Sequence, residues 1–130
     1  YIPLPHLRLA LATTTDGDIN RHVAETIFRD VWQGGGEAGD AARLAALAAR
    51  LRLQRDPGSE EVKAQLKANT EEAVARGIFG VPTCEVDGRQ FWGFDGLAMM
   101  RDYLRGNLWF EGPDWEAAPR RPALLRSSNR

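Results

Sequence analysis

The apolar positions of the first three-fifths of the chain recur every three or four residues, a spacing typical of amphipathic helices. The spacing predicts four helices, with these inward-facing residues in chain order: Leu4, Leu7 and Leu11; Ile19, Val23, Ile27 and Val31; Leu44, Leu47 and Leu51; Val62, Leu66, Ala73 and Val74. We expect Asp18, Asp40 and either Asp56 or Ser59 to cap the last three helices, and Gly77 to end the fourth.

From Gly80 onward the pattern changes to two short segments rich in β-forming residues, separated by Asp87-Gly88. An Asp-Gly pair in this position is typical of a tight hairpin turn with positive φ, so we predict two antiparallel strands. A last helical face follows, formed by Leu97, Met100 and Leu104. In the remaining tail, Trp109, Phe110 and Trp115 are expected to pin the chain onto the core, and the final residues are expected to be disordered.

Composition and charge mainly exclude classes of protein and kinds of site. A length of 130 residues suits one domain, and 43% apolar with 27% charged residues is typical of a packed globular chain. The net charge of -1 gives no overall field toward nucleic acid or a membrane surface, and we find no membrane span or signal peptide. His6 and His22 lack further ligands at a suitable spacing, so we expect no metal site.

Cys84 is the single cysteine of the sequence. One cysteine excludes an internal disulfide or a CxxC dithiol in these residues and favours a reducing, cytoplasmic location. Because Cys84 follows Pro-Thr in a predicted strand, we interpret it as a small buried apolar residue rather than a nucleophile.

The chemistry-bearing segment lies around the predicted hairpin. A cis Val81-Pro82 bond, whose presence the sequence does not determine, would leave the backbone N–H and C=O of Val81 free to pair with an extended peptide. The start of the last helix would offer N–H groups near Asp95 and Gly96 to a carboxylate, with Asp95 holding an amine. Glutathione presents both features, although an ordinary hairpin followed by a capped helix explains the same residues.

Three segments carry a resemblance to a known family: Arg76-Gly77-Ile78-Phe79-Gly80-Val81-Pro82-Thr83, Val86-Asp87-Gly88 and Phe91-Trp92-Gly93-Phe94-Asp95. Together they resemble the C-terminal motif of the DsbA-like thioredoxin superfamily. Within it they are most similar to the 2-hydroxychromene-2-carboxylate isomerase family, which is related to the kappa-class glutathione transferases. The earlier helices resemble that family only in length and pattern.

The resemblance implies an α/β, thioredoxin-like fold with a helical insertion. Residues 1–78 would form the helical insertion, residues 79–106 the C-terminal ββα part, and residues 107–130 a tail. The βαβ part that precedes the insertion in such proteins is not recognisable here, and we expect it to lie N-terminal to Tyr1.

The resemblance also implies glutathione as the cofactor. Val81 would pair with its cysteinyl part, Pro82 would be the cis-proline, and Phe94 with Asp95 would bind the γ-glutamyl end. The sequence departs from the family pattern at Gly96, where an arginine is expected, and at Cys84, where an apolar residue is expected.

The implied activity is glutathione-dependent isomerisation of a small intermediate of aromatic degradation. The serine that activates the thiol in this family is expected N-terminal to this chain, so no catalytic residue is assigned; Ser59, Ser127 and Ser128 are interpreted as structural or solvent-facing. The alternatives are a DsbA-like thiol-disulfide oxidoreductase, a kappa-class glutathione transferase, or a non-catalytic helical dimerisation module. Since a two-stranded sheet has open edges, we also expect either a homodimer that pairs through such an edge or a chain that is a fragment of a larger protein.

Overall fold

The computed structural model describes residues 2–117, which are mostly helical. In chain order the elements are α1 (Leu4–Ala12), α2 (Arg21–Gln33), α3 (Ala41–Leu51), α4 (Glu60–Ala75), β1 (Thr83–Val86), β2 (Arg89–Trp92), α5 (Gly96–Leu104), a 3-10 turn (Leu108–Glu111) and α6 (Pro113–Glu116). The four predicted helices, the hairpin and the last helix are confirmed in their predicted order. The predicted disorder at the end of the tail falls outside the described residues.

The chain divides into two compact units, Tyr1–Thr70 and Glu71–Arg130. This division follows packing within the structure. The predicted boundaries at residues 78 and 106 concern the parts of the family's fold, and they stay predictions.

The core of the first unit lies between α1, α2 and α3. Its buried residues are Leu9, Ala10, Val23, Ile27, Leu47 and Leu51. The predicted inward faces of α2 and α3 are thus confirmed by two buried positions each. The prediction for Ile19 is wrong, because this residue precedes α2 and is exposed. Leu47 is completely buried, which marks the centre of this core.

The predicted inward face of α1 is wrong for two of its three leucines. Leu4 and Leu7 are exposed, whereas the opposite face, with His6 and Leu9, is buried. Leu11 is buried in a second cluster with Ala12 and Val62. Because α1 is apolar on nearly every side, leucine spacing alone does not determine which side is covered.

The capping predictions are confirmed for α3 and corrected for α2. The Asp40 carboxylate accepts a hydrogen bond from the N–H of Arg43 at 3.0 Å. The second helix begins later than predicted, at Arg21, so the side chain of Asn20 rather than Asp18 is placed to accept from the N–H of Val23 at 3.0 Å.

The fourth helix begins as predicted but is buried only near its start. Ser59 Oγ accepts from the N–H of Val62 at 3.3 Å, and Val62 is fully buried. The prediction that Val74 faces inward is wrong, because it is 60% exposed. The apolar residues that cover α4 meet its first turns, at Val62 and Leu66, and not its last one. Gly77 follows the end of α4 with a φ of +72°, and it terminates this helix as predicted.

The hairpin of the second unit pairs Thr83 with Trp92 and Val86 with Arg89 in an antiparallel register. Asp87 and Gly88 form its turn with φ of 50° and 74°, which confirms the predicted positive-φ turn. Phe91 on β2 is 2% exposed and belongs to the core of this unit.

An aromatic cluster, defined here as Phe91, Tyr103, Trp109, Phe110 and Trp115, completes that core. Phe110 is 3% exposed, with its ring centroid 5.3 Å from that of Tyr103 and 5.2 Å from that of Trp115. The ring of Trp115 stacks on Phe91 at 6.0 Å. These contacts confirm that the aromatic residues of the tail pin it onto the core.

His6 gives the first unit a pH-dependent stability. Burial lowers the pKa of His6 below its ordinary value of 6.5; nearby Asp30 opposes this shift and Arg43 reinforces it. The unfolded chain therefore binds a proton more readily than the folded one. The stabilisation is fully present above pH 6.5 and is lost as the pH falls from 6.5 through the folded-state pKa.

We therefore expect His6→Gln to flatten the dependence of the free energy of unfolding on pH between about pH 7.5 and pH 5.5. Urea unfolding at several pH values measures this slope. His22→Gln, at an exposed position of α2, is the control and should keep the wild-type slope. An unchanged slope in His6→Gln would show that this residue does not couple protonation to folding.

Candidate functional site

Val81 lies immediately before the hairpin with its backbone free. The residue is 88% exposed, and neither its N–H nor its C=O makes a hydrogen bond to any described residue. The Val81-Pro82 peptide bond is cis. Exposed backbone groups with no partner in the protein are available to pair with the backbone of an extended ligand.

The loop that carries Val81 is held from both sides. Thr83 Oγ1 donates to the carbonyl of Gly80 at 2.6 Å, and the rings of Phe79 and Trp92 lie 5.1 Å apart. A Cβ at position 80 would lie 2.5 Å from Nε1 of Trp92, so a side chain there would displace the indole. These contacts stabilise the conformation of the loop on either side of Val81.

The segments containing Val81 and Asp95 meet at the same end of the hairpin. The N–H of Gly93 donates to the carbonyl of Pro82 at 2.8 Å and extends the strand pairing by one step beyond Thr83 and Trp92. Val81 precedes this bonded pair on one strand, and Phe94 follows it on the other. The hairpin therefore brings together the segments to which the four predicted site residues belong.

Asp95 stands at the start of α5 but does not cap it. Its side chain accepts no capping hydrogen bond, and it forms no hydrogen bond or ion pair with any described residue. Phe94 beside it is 83% exposed. The interpretation of Asp95 as an ordinary helix cap is therefore wrong, and its carboxylate is available to a cationic group.

The expectation of free N–H groups near Asp95 and Gly96 is wrong for Gly96. The N–H of Gly96 donates to the carbonyl of Gly93 at 3.2 Å, and the N–H of Leu97 donates to that of Phe94 at 3.1 Å. The chain turns tightly into α5, so these groups are used by the turn itself. The N–H of Asp95 makes no backbone hydrogen bond among the described residues.

An open hollow of about 470 Å³ lies over the start of α5. We call it the Asp95 hollow; it is lined by Phe94, Asp95, Leu97, Ala98 and Arg101. Val81 and Pro82 are not part of its lining. Sequence reasoning missed Arg101, although its position four residues after Leu97 places both residues on one face of the helix.

Gly96 and Cys84, the two positions at which the sequence departs from the family pattern, lie in different surroundings. A Cβ at position 96 would lie 3.1 Å from the carbonyl carbon of Phe91, so α5 starts in close contact with the backbone of β2. Cys84 is a half-buried residue of β1, less buried than predicted, because a two-stranded sheet covers it incompletely.

Other residue types considered from the sequence do not enter this site. Ser59 has the capping role described above, and Ser127 and Ser128 lie outside the described residues. Within residues 2–117 there is no group of three or more His, Cys, Asp or Glu side chains placed to hold a metal ion. In the same range, every helix is too short or too polar to cross a membrane.

Comparison with known proteins gives one result. A family model described as a DSBA-like thioredoxin domain matches residues 6–105, which include the hairpin and all lining residues of the Asp95 hollow. No curated protein and no solved structure matches the chain significantly.

Proposed function

The chain belongs to the DsbA-like thioredoxin domain family, and on that premise we propose that it is a glutathione-binding enzyme of the 2-hydroxychromene-2-carboxylate isomerase type. Family membership establishes the thioredoxin-like fold class, here mostly helical with a small two-stranded sheet. Members of this family are often oxidoreductases, isomerases or transferases. The observation that carries the proposal is the exposed, unpaired backbone of Val81.

The backbone of Val81 suits the cysteinyl residue of glutathione. Its N–H would donate to the cysteinyl carbonyl, and its C=O would accept from the cysteinyl N–H, as in the addition of a strand to a sheet edge. Such pairing requires protein groups that are both exposed and unbonded, which holds for Val81. Pro82 follows in the cis configuration and begins the turn into β1.

Asp95 suits the ammonium group of the γ-glutamyl end. A carboxylate with no partner in the protein can bind an amine by exchanging only water contacts, without breaking a bond within the protein, and a hydrogen bond between charged groups is stronger than one between neutral groups. Phe94, exposed next to it, would cover the methylene carbons of the same group.

When bound, glutathione supplies a thiol that adds reversibly to an enone-like carbon of the substrate and leaves again after bond rotation, with no net redox change. The part of Val81, Pro82, Phe94 and Asp95 is to bind and orient the tripeptide. The substrate class we propose is a small intermediate of aromatic degradation. No residue of this chain is assigned to activating the thiol.

The proposal extends to assembly and location. Both strands of the two-stranded sheet have an unpaired edge among the described residues, and such edges favour pairing with further strands or a second copy. We therefore propose a homodimer. The use of an external thiol together with a single cysteine suits a reducing compartment, and we propose the cytoplasm.

Glutathione binding separates this proposal from a packing module. In calorimetric titrations, glutathione methylated on the cysteinyl nitrogen should bind at least about tenfold more weakly than glutathione, because it cannot donate to the carbonyl of Val81. S-methylglutathione, which keeps the backbone groups, is the matched control and should bind like glutathione. Equal affinity for all three ligands would contradict pairing through Val81.

A kappa-class transferase would use the same binding residues, so activity assays must distinguish the reactions. Isomerisation with recovery of free glutathione supports the isomerase, whereas consumption of glutathione into a conjugate supports the transferase. A dithiol oxidoreductase would need a cysteine in addition to Cys84.

A further inference from the structure

We propose that Arg101 binds the α-carboxylate of the γ-glutamyl group, and that Arg101 and Asp95 together make the Asp95 hollow a site for an α-amino carboxylate. This inference rests on the proposed function and deepens it. Both side chains line the same hollow, and they form no ion pair with each other. A cation and an anion that stay apart in one hollow match a zwitterionic ligand.

Arg101 is available for this role. Among the described residues it forms an ion pair with its neighbour Asp102, in which Nε of Arg101 lies 3.8 Å from Oδ1 of Asp102. The Arg101 side chain is 61% exposed. An exposed pair at that distance holds the guanidinium weakly. Arginine presents several N–H donors in a planar fork that matches a carboxylate, so it can replace this contact with a stronger one.

The start of α5 leaves little else to bind a carboxylate. The N–H groups of Gly96 and Leu97 already donate hydrogen bonds to carbonyls of the preceding turn. The N–H of Asp95, unpaired among the described residues, is one remaining backbone donor. A carboxylate has two oxygens to satisfy, so it still needs a side-chain donor, and Arg101 is the cationic residue among those that line the Asp95 hollow.

Close packing also explains why the cation does not stand directly after Asp95. At position 96, a Cβ would lie 3.1 Å from the carbonyl carbon of Phe91 and 3.5 Å from its Cα. Backbone atoms of a paired strand do not move as easily as a side chain, so a larger residue at position 96 would require a shift of the backbone where α5 meets β2. Glycine at this position and a cation further along the helix satisfy both packing and ligand charge.

The apolar part of the hollow fits the rest of the γ-glutamyl group. Leu97 and Ala98 lie between the two charged residues in the sequence of α5, and Phe94 precedes them. These side chains would contact the two methylene carbons between the α-carbon and the γ-amide of the ligand.

The test uses calorimetry with two peptides: glutathione and 4-aminobutyryl-cysteinyl-glycine, which lacks only the α-carboxylate. In the wild-type chain, we expect the second peptide to bind about tenfold more weakly. Arg101→Gln should lose about the same factor for glutathione and nothing further for the shortened peptide. Arg105→Gln removes a positive charge at the C-terminal end of α5, outside the lining of the Asp95 hollow. It is the matched control and should bind both peptides like the wild type.

Each outcome separates this assignment from the function on which it rests. If glutathione binds the wild type and Arg101→Gln equally well, Arg101 does not hold the carboxylate, while the proposed function stands. If Arg101→Gln weakens both peptides by the same factor, Arg101 acts on another part of the ligand, and the assignment is again wrong. If the wild type does not bind glutathione, both fail together.

Discussion

Asp95→Asn is expected to weaken glutathione binding by about tenfold or more, because it removes the negative charge that would face the γ-glutamyl ammonium in the proposed complex while keeping the size of the side chain. Folding should be unaffected, since the Asp95 carboxylate neither caps α5 nor pairs with a described residue. Calorimetric titration gives the affinity, and thermal unfolding without ligand gives the stability. A loss of affinity at unchanged stability identifies a ligand-binding residue rather than a structural one.

Asp114→Asn is the matched control for this change. Asp114 is an exposed aspartate of α6 in the same unit, so its replacement alters the net charge identically without touching the Asp95 hollow. Glutathione affinity should remain that of the wild type. Equal affinities in Asp95→Asn, Asp114→Asn and the wild type would exclude Asp95 from the site.

Phe110→Ala is expected to lower the free energy of unfolding of the second unit by about 3–5 kcal/mol. Phe110 is 3% exposed, and its ring contacts Phe91, Tyr103, Trp109 and Trp115, so its removal leaves a cavity between several rings. Chemical unfolding followed by tryptophan fluorescence measures the loss, because Trp109 and Trp115 report on this cluster.

Leu108→Ala provides the comparison for that measurement. Leu108 is in the same 3-10 turn but 76% exposed, so its truncation should change the stability by no more than about 0.5 kcal/mol. If both variants lose equally little, the aromatic cluster does not stabilise the second unit, and the structural role given to the tail is wrong.

The hairpin could be predicted from the sequence because one local feature determines it. Asp87-Gly88 favours a turn with positive φ, and the two-residue turn that it forms fixes the register of β1 and β2. The inward face of α1 could not be predicted in this way. Where apolar residues surround a helix, burial depends on which neighbours pack against it, and the positions of α2 and α3 are not encoded in the spacing of Leu4 and Leu7.

The residues of the candidate site also differ in whether local sequence or three-dimensional packing reveals them. Val81 and Asp95 belong to motif segments that lie close together in the sequence, so the sequence alone led to them. Arg101 was missed because its role depends on the shape of the surface over α5. The use of the Gly96 N–H within a tight turn was also hidden, since it depends on how closely α5 approaches β2.

The most direct test of glutathione binding at Val81 and Asp95 is a titration of the isotope-labelled chain with glutathione, followed by amide NMR shifts. We expect saturable shifts at the N–H of Val81, which gains a hydrogen bond, and at Asp95 and Leu97 beside the hollow. An absence of shifts at saturating glutathione, or shifts confined to residues away from the hairpin and α5, would contradict the proposed site.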